Sequence, residues 1–237
     1  MKIILIFTLF IFCFGCAQRI KVPINRMMSP EAIGHGAEIE YKDTGLSLGV
    51  LDFSDNSTTN ALQMSTIREE EFYFALGVAE KADLFIKVPK ESSSMIGLKI
   101  QVLGTPAKAA SEGHSLSVSM AMGSERDSFD ETFTIDLKSD VTDFALIHGY
   151  RTNPITLFYD GISLSNYSFE GKIKGASGLD SNSFEYSAKN IIGAFAGVIF
   201  GGHSFKFKLE YAVQKIEWTH TDSKLFQHFG LALSSGW

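Results

Sequence analysis

A two-residue rhythm constrains this chain more than any other feature. From about residue 33 onward, apolar side chains recur at every second position in one segment after another. In 96–102, Ile96, Leu98, Ile100 and Val102 alternate with Gly97, Lys99 and Gln101. In 115–122, Leu116, Val118, Met120 and Met122 alternate with Ser115, Ser117, Ser119 and Ala121. Residues 204–213 set Phe205, Phe207, Leu209, Tyr211 and Val213 against Ser204, Lys206, Lys208, Glu210 and Ala212. Ala37, Ile39 and Tyr41 likewise oppose Glu38, Glu40 and Lys42, and Phe133, Ile135 and Leu137 oppose Thr134, Asp136 and Lys138. Successive side chains of a strand point to opposite faces, so this is the period of a sheet. Beyond the first fifteen residues no segment holds a helical period. Residues 59–68 come nearest and are read as loop.

The pattern predicts about ten strands, within eight to twelve. They are expected over 34–53, 70–79, 82–89, 95–104, 113–123, 131–150, 154–174, 183–200, 203–218 and 225–237. The first could instead fold back as a hairpin at Lys42-Asp43-Thr44-Gly45. Short connections fall at Glu80-Lys81, at the Thr152-Asn153-Pro154 corner and at Gly201-Gly202, where a primed turn needs positive φ. Longer polar connections fall at 54–69, 90–94, 124–130, 175–182 and 219–224. The longer stretch 105–112 is the exception on the short side. Short turns alternating with long loops describe an antiparallel up-and-down meander.

Alternation alone does not say which face is wet. A soluble barrel turns its apolar face inward, whereas a transmembrane barrel turns it outward and keeps a polar lumen. The polar faces here carry both signs of charge: Glu38, Glu40, Lys99, Asp136, Lys138, Lys206, Lys208 and Glu210 are expected in the lumen, where opposite charges can pair. Several strands are long enough to cross a bilayer at a tilt. Tyr150, Tyr159, Tyr167, Tyr186, Trp218 and Trp237 lie near strand ends, as interfacial aromatic girdles do. The chain ends with Phe229, Leu231, Leu233, Ser235 and Trp237 at alternate positions. This ending resembles the C-terminal strand signal of bacterial outer-membrane β-barrels (Phe229, Leu231, Leu233 and Trp237), which implies recognition by the barrel-assembly machinery. The expected fold is therefore an all-β, antiparallel transmembrane barrel in the outer membrane of a Gram-negative cell. Both termini are expected on the periplasmic side, where the short turns are.

The first fifteen residues, MKIILIFTLFIFCFG, place one Lys before an apolar run too short to span a bilayer, as a signal peptide does. Cys13-Phe14-Gly15-Cys16 resembles the lipobox of bacterial lipoproteins. The resemblance implies cleavage after Gly15 and acylation of Cys16 with palmitate-type chains, and Ala17 is compatible with export outward. Cys13 stands where Leu is usual. Of the two cysteines of the chain, only Cys16 is left after this cleavage, so the mature protein is expected to have no disulfide and no cysteine metal site. Residues 17–30 hold Pro23, Pro30 and mixed charges without a period. The organisation read from the sequence is signal peptide 1–15, lipidated tether 16–32 and barrel 33–237.

The 237 residues are 45% hydrophobic with a net charge of −6. That excludes a disordered polymer and leaves no cationic excess for nucleic acid. His35, His114, His148, His203, His220 and His228 show no metal spacing. No phosphate loop and no GxSxG motif occurs. No cofactor, metal or catalytic residue is assigned. His114-Ser115 and His203-Ser204 invite comparison with lipid hydrolases, but neighbours on a strand face opposite ways. The acidic residues Glu69, Glu70, Glu71, Glu125, Asp127 and Asp130 are read as solvated loop residues. Three roles follow: a structural or interaction barrel whose partner is membrane lipid, a narrow passive channel, and a soluble periplasmic binding module. The sequence leaves the oligomeric state open.

Overall fold

A computed structural model describes residues 17–52, 63–109, 111–130, 133–175, 182–218 and 223–237. The leader with Cys13, Gly15 and Cys16 lies outside the described residues, as do His220 and the side chains of Asp127, Asp130 and Tyr186. The described residues form eleven strands. They are β1 (Ala17–Pro23), β2 (Ala37–Asp52), β3 (Gln63–Ala79) and β4 (Ala82–Pro89). Then come β5 (Met95–Leu103), β6 (Gly113–Asp130), β7 (Phe133–Asn153) and β8 (Thr156–Gly175). The last three are β9 (Asn182–Gly201), β10 (Phe205–Ile216) and β11 (Lys224–Gly236).

From β2 to β11 each strand pairs antiparallel with the next, and β11 closes on β2 through Leu231↔Asp43 to Gly236↔Glu38. The wall is thus a closed ten-strand up-and-down barrel. Its two ends differ. The turns after β3, β7 and β9 are short, and the C-terminal Trp237 lies with them, hydrogen-bonded to Ala37. At the opposite end the strands on either side of the gaps after β2, β8 and β10 are separated by more residues, and β6 and β7 by two.

The two faces settle which side is wet. Ile96 is 57% exposed and Ile162 58%, in a belt that includes Phe72, Leu84, Val118, Phe144 and Phe229. Inside, Glu40 and Glu210 are fully buried and Lys208 is 1% exposed. An apolar outer belt around a charged interior is the arrangement a bilayer selects and water penalises. The barrel is therefore of the transmembrane type. No helix among the described residues is long and apolar enough to cross a membrane.

Three boundaries differ from the expectation, each for a physical reason, while the first expected strand stays whole. Residues 63–68 belong to β3 and pair with β2 up to Val50, so the loop reading of this stretch fails. Glu69 and Glu71 therefore point into the barrel and are buried, while Glu70 is exposed. Residues 124–130 also continue a strand, β6, against β7. Above the lipid belt both faces of a strand can be polar, so the alternation that marks a strand is lost there. β2 runs unbroken from Ala37 to Asp52, with no hairpin at Lys42–Gly45.

The third difference is β1, which the sequence pattern does not reveal. Residues Ala17–Pro23 pair with Asp52–Leu46 of β2. They use the upper part of the edge that β11 uses lower down. An ideal Cβ on Gly45 would sit 2.2 Å from Cγ of His228 on β11. Glycine there lets the upper part of β2 slip behind β11, and Leu46, Ser47 and Leu48 are buried on both faces. The barrel seam overlaps itself, and β1 is carried into the lumen.

Candidate functional site: the filled lumen

After β1 the chain runs down the barrel axis. Residues 22–34 are all buried. Contacts mark the depth. Near the long-loop end the Ile24 amide donates to Gly45 O at 2.8 Å. At mid-height Arg26 meets Asp143 of β7 at 2.8 Å and donates to Ser165 of β8 at 2.8 Å. Lower down Glu31 meets Arg151 of β7. Lower still, the Ile33 amide donates to Asp83 of β4 at 3.0 Å, and the Gly77 amide of β3 donates to Gly36 O at 2.9 Å. Gly34 and Gly77 cross so closely that an ideal Cβ on Gly77 would lie 1.4 Å from Gly34 O. Glycine at both positions lets the segment turn out under the wall, and Gly34 has φ +79°.

The wall that receives the segment has two chemically distinct halves. One half, β10, β11 and β2–β5, carries most of the buried charge, on β2–β5 and β10, while β11 turns Phe226, Gly230, Ala232 and Ser234 inward. Lys42 meets Glu71 at 2.7 Å, Lys99 meets Asp83 at 3.0 Å and Lys208 meets Glu38 at 3.2 Å. Lys206 also pairs with Glu38, and Lys208 with Glu40. This half grips the segment mainly by its backbone, and by the side chain of Asn25, which donates to Glu210 at 3.3 Å and accepts the Gly45 amide at 2.9 Å. Glu210 accepts the consecutive amides of Arg26 and Met27, each at 2.7 Å. Successive N–H groups converging on a carboxylate form a small anion nest, and Met27 holds the φ of 53° that this turn requires. Lys99 donates to the carbonyls of Ser29 and Glu31, and Gln101 accepts the Ala32 amide at 2.8 Å.

The other half, β6–β9, presents Ser117, Ser119, Ile147, Leu157, Tyr159, Ile191, Phe195 and Ile199. Its buried charges among the described residues are Asp143 and Arg151. Each is met by a side chain of the segment. Arg26 pairs with Asp143, and Glu31 receives Arg151 in a two-pronged contact at 2.7 and 2.6 Å. A planar guanidinium facing a carboxylate in this way gives direction as well as energy. Toward the long-loop end Ile20, Val22 and Ile24 join a cluster with Tyr167, Phe169, Ile216, Trp218 and Phe226.

The residues expected to matter fall as follows. Glu38, Glu40, Lys99, Lys206, Lys208 and Glu210 are buried in the interior network. Asp136 and Lys138 are not. Leu137, Ser139, Val141 and Asp143 take the inward positions of β7, which puts Asp136 and Lys138 on the outer face with Phe144 and Leu146. β7 is 21 residues long, so this part stands above the belt and the outer face is polar there. The girdle assignment also fails in part. Tyr150 and Trp237 are outside and exposed, but Tyr159, Tyr167 and Trp218 are buried in the lumen. Phe229, Leu231, Leu233 and Trp237 lie exposed on the outer face of β11. The tether expected over 16–32 is, in its described part, β1 and the luminal segment.

The His–Ser pairs considered from the sequence lie near the short turns. His114 is exposed while Ser115 is buried on the opposite face. His114 Nδ1 instead meets His148 Nε2 at 3.0 Å, and His148 meets Asp160 at 3.0 Å, all on the outer surface near the short turns. His203 lies in the turn after β9, where burial and the neighbouring Lys206 and Lys108 hold its imidazole below the usual range. No group of metal-ligating residues occurs among the described residues.

No family model matches the chain, and no curated protein matches it. Solved structures similar to it include two of Ail, the attachment invasion locus protein of Yersinia pestis. One is 13% identical, spans 85% of this chain and 97% of Ail, and has a TM-score of 0.37. The other, Ail with the heparin analogue sucrose octasulfate, is 11% identical, spans 86% and 99%, and has a TM-score of 0.38. The barrel described above rests on its own strand pairing and its two faces.

Proposed function

We propose that the chain is an outer-membrane β-barrel lipoprotein with a structural or interaction role and no catalytic activity. The observation that carries this reading is a lumen filled by the chain's own segment inside an apolar-walled barrel. Seven buried cations face eight buried carboxylates among the described residues, so the interior is close to neutral and offers little field to draw an ion through. The belt favours an integral protein over a soluble binding module. The filled lumen favours a sealed barrel over a passive channel, which would require the segment to leave.

In this reading residues 1–15 are a signal peptide, Cys16 carries palmitate-type acyl chains, and the strand ending in Trp237 is read by the barrel-assembly machinery. The partner is membrane lipid, with no role for nucleic acid. The test is a membrane extraction. The Cys16→Ser protein is expected to resist carbonate and to migrate differently on gels before and after heating, as an integral barrel does. A freely soluble Cys16→Ser protein would sink the integral reading. Purified full-length protein is expected to be silent in planar bilayers, and stepwise conductance would establish the channel instead. Incorporation of a palmitate analogue, lost in Cys16→Ser, checks the anchor.

A further inference from the structure

The direction of the luminal segment carries a consequence for where the chain begins. Ala37 lies at the short-turn end, bonded to Trp237. Ala17 lies at the long-loop end, paired with Asp52 at the top of β2. Between them every contact descends in order: Gly45 with Ile24, Asp143 with Arg26, Arg151 with Glu31, Asp83 with Ile33 and Gly77 with Gly36. The segment therefore crosses the full height of the barrel, and its amino end emerges opposite the C-terminus. Cys16 is the residue next to Ala17 in the sequence. A tether reaching back to the periplasmic leaflet would have to leave the lumen.

The contacts are specific to a threaded segment. Arg26 and Glu31 are its two fully buried charges, and they neutralise the two buried charges of β6–β9. Without the segment, Asp143 and Arg151 would lose the opposite charges that pair with them in the lumen. The Glu210 carboxylate would lose both backbone donors. The wall is built around this occupant, in this direction.

We infer that the N-terminal segment is threaded outward through the barrel, so that the mature N-terminus and the acyl chains on Cys16 stand at the long-loop, outer face of the membrane. The inference deepens the lipoprotein reading and rests on it for the acyl chains. The threading itself stands apart from acylation. It makes the protein a lipoprotein anchored from outside, with the barrel closed by the same segment that carries the anchor. It also reverses the expectation that both termini face the periplasm.

Labelling of intact cells with a membrane-impermeant maleimide tests it on the full chain. Ala17→Cys and Gln18→Cys report the amino end, and using two neighbours ensures that one points away from the wall. Ser223→Cys reports the long-loop end. Gly202→Cys reports the short-turn end, where an added Cβ meets nothing within 4 Å. At least one of Ala17→Cys and Gln18→Cys is expected to label in intact cells to the same extent as Ser223→Cys, with Gly202→Cys labelling only after permeabilisation. If both follow Gly202→Cys, or neither labels while Ser223→Cys does, the threading is overturned. If Gly202→Cys labels from outside and Ser223→Cys does not, the barrel orientation is wrong, and threading still stands if the amino-end variants follow Ser223→Cys. Labelling of the parent chain would mean that Cys16 is a free thiol, which defeats the lipoprotein reading alone.

Discussion

The two halves of the barrel wall hold the same segment by different means. The half made by β10, β11 and β2–β5 is largely neutralised within itself through Lys42–Glu71, Lys99–Asp83, Lys208–Glu40 and Lys206–Glu38. From the segment it takes mainly backbone groups, through Glu210, Lys99, Gln101 and Asp83, with Asn25 as the one side chain it holds by hydrogen bonds among the described residues. The half made by β6–β9 is mostly serine and apolar, and its two charges take side chains. Backbone contacts are indifferent to sequence and fix the path. Side-chain contacts fix the register along that path. One half acts as a rail and the other as a pair of catches.

Replacing residues 25–33 with a Gly/Ser stretch of equal length removes both catches and the apolar filling. Two buried ion pairs broken on one side cost about 3–5 kcal/mol each, the largest effect expected here. The urea midpoint of unfolding, read by gel migration, should fall sharply, and conductance should appear in planar bilayers where the parent is silent. An unchanged midpoint would mean that the wall does not depend on its occupant.

A single catch comes next. Arg151→Met leaves Glu31 buried without its partner and should cost about 3–5 kcal/mol, whereas Glu31→Met with Arg151→Met should recover most of that loss. Equal losses in the single and double variants would dissolve the distinction between the halves, because Arg151 would then be serving the wall and not the segment.

The sequence makes the rail legible and the catches obscure. On β2, β5 and β10 the inward positions carry Glu38, Glu40, Lys99, Lys206, Lys208 and Glu210 against plainly apolar outward neighbours, so period and polarity agree. On β7 they disagree. Leu137 and Val141 face inward to meet the segment's apolar end, while Asp136 and Lys138 face out above the lipid. A lumen filled with protein accepts both polarities, and strands that overrun the bilayer meet water on their outer side. Either circumstance inverts the pattern locally. The luminal segment was unreadable for a related reason. It has no period, since its residues face every side of the lumen in turn, and β1 pairs along one edge of one strand.

Two further substitutions sharpen the contrast between inside and outside. Ile162→Lys places a charge in the belt, where about 2–4 kcal/mol is expected at the bilayer midplane. Gly149→Ala probes the apolar half from within. Its Cβ would lie 2.5 Å from Cγ of Pro30, a rigid ring that gives way only by moving the segment. Overpacking of that kind costs about 1–3 kcal/mol. If Gly149→Ala is tolerated fully while Arg151→Met is not, the segment is held by charge and packs loosely.

The smallest expected effect is the most discriminating for the register of β7. Lys138 pairs with Asp140 on the outer face, with side chains 36% and 43% exposed. An exposed pair of this kind contributes little, and less still as salt screens it. Lys138→Ala should therefore shift the urea midpoint slightly, and less at high ionic strength. A lysine in the lumen would behave otherwise, because its removal would strand a buried carboxylate and the loss would persist in salt. A large, salt-insensitive loss at Lys138 would restore the inward reading of Asp136 and Lys138. It would also turn Leu137 and Val141 out of the lumen, emptying the apolar half of the barrel where it receives the amino end of the segment.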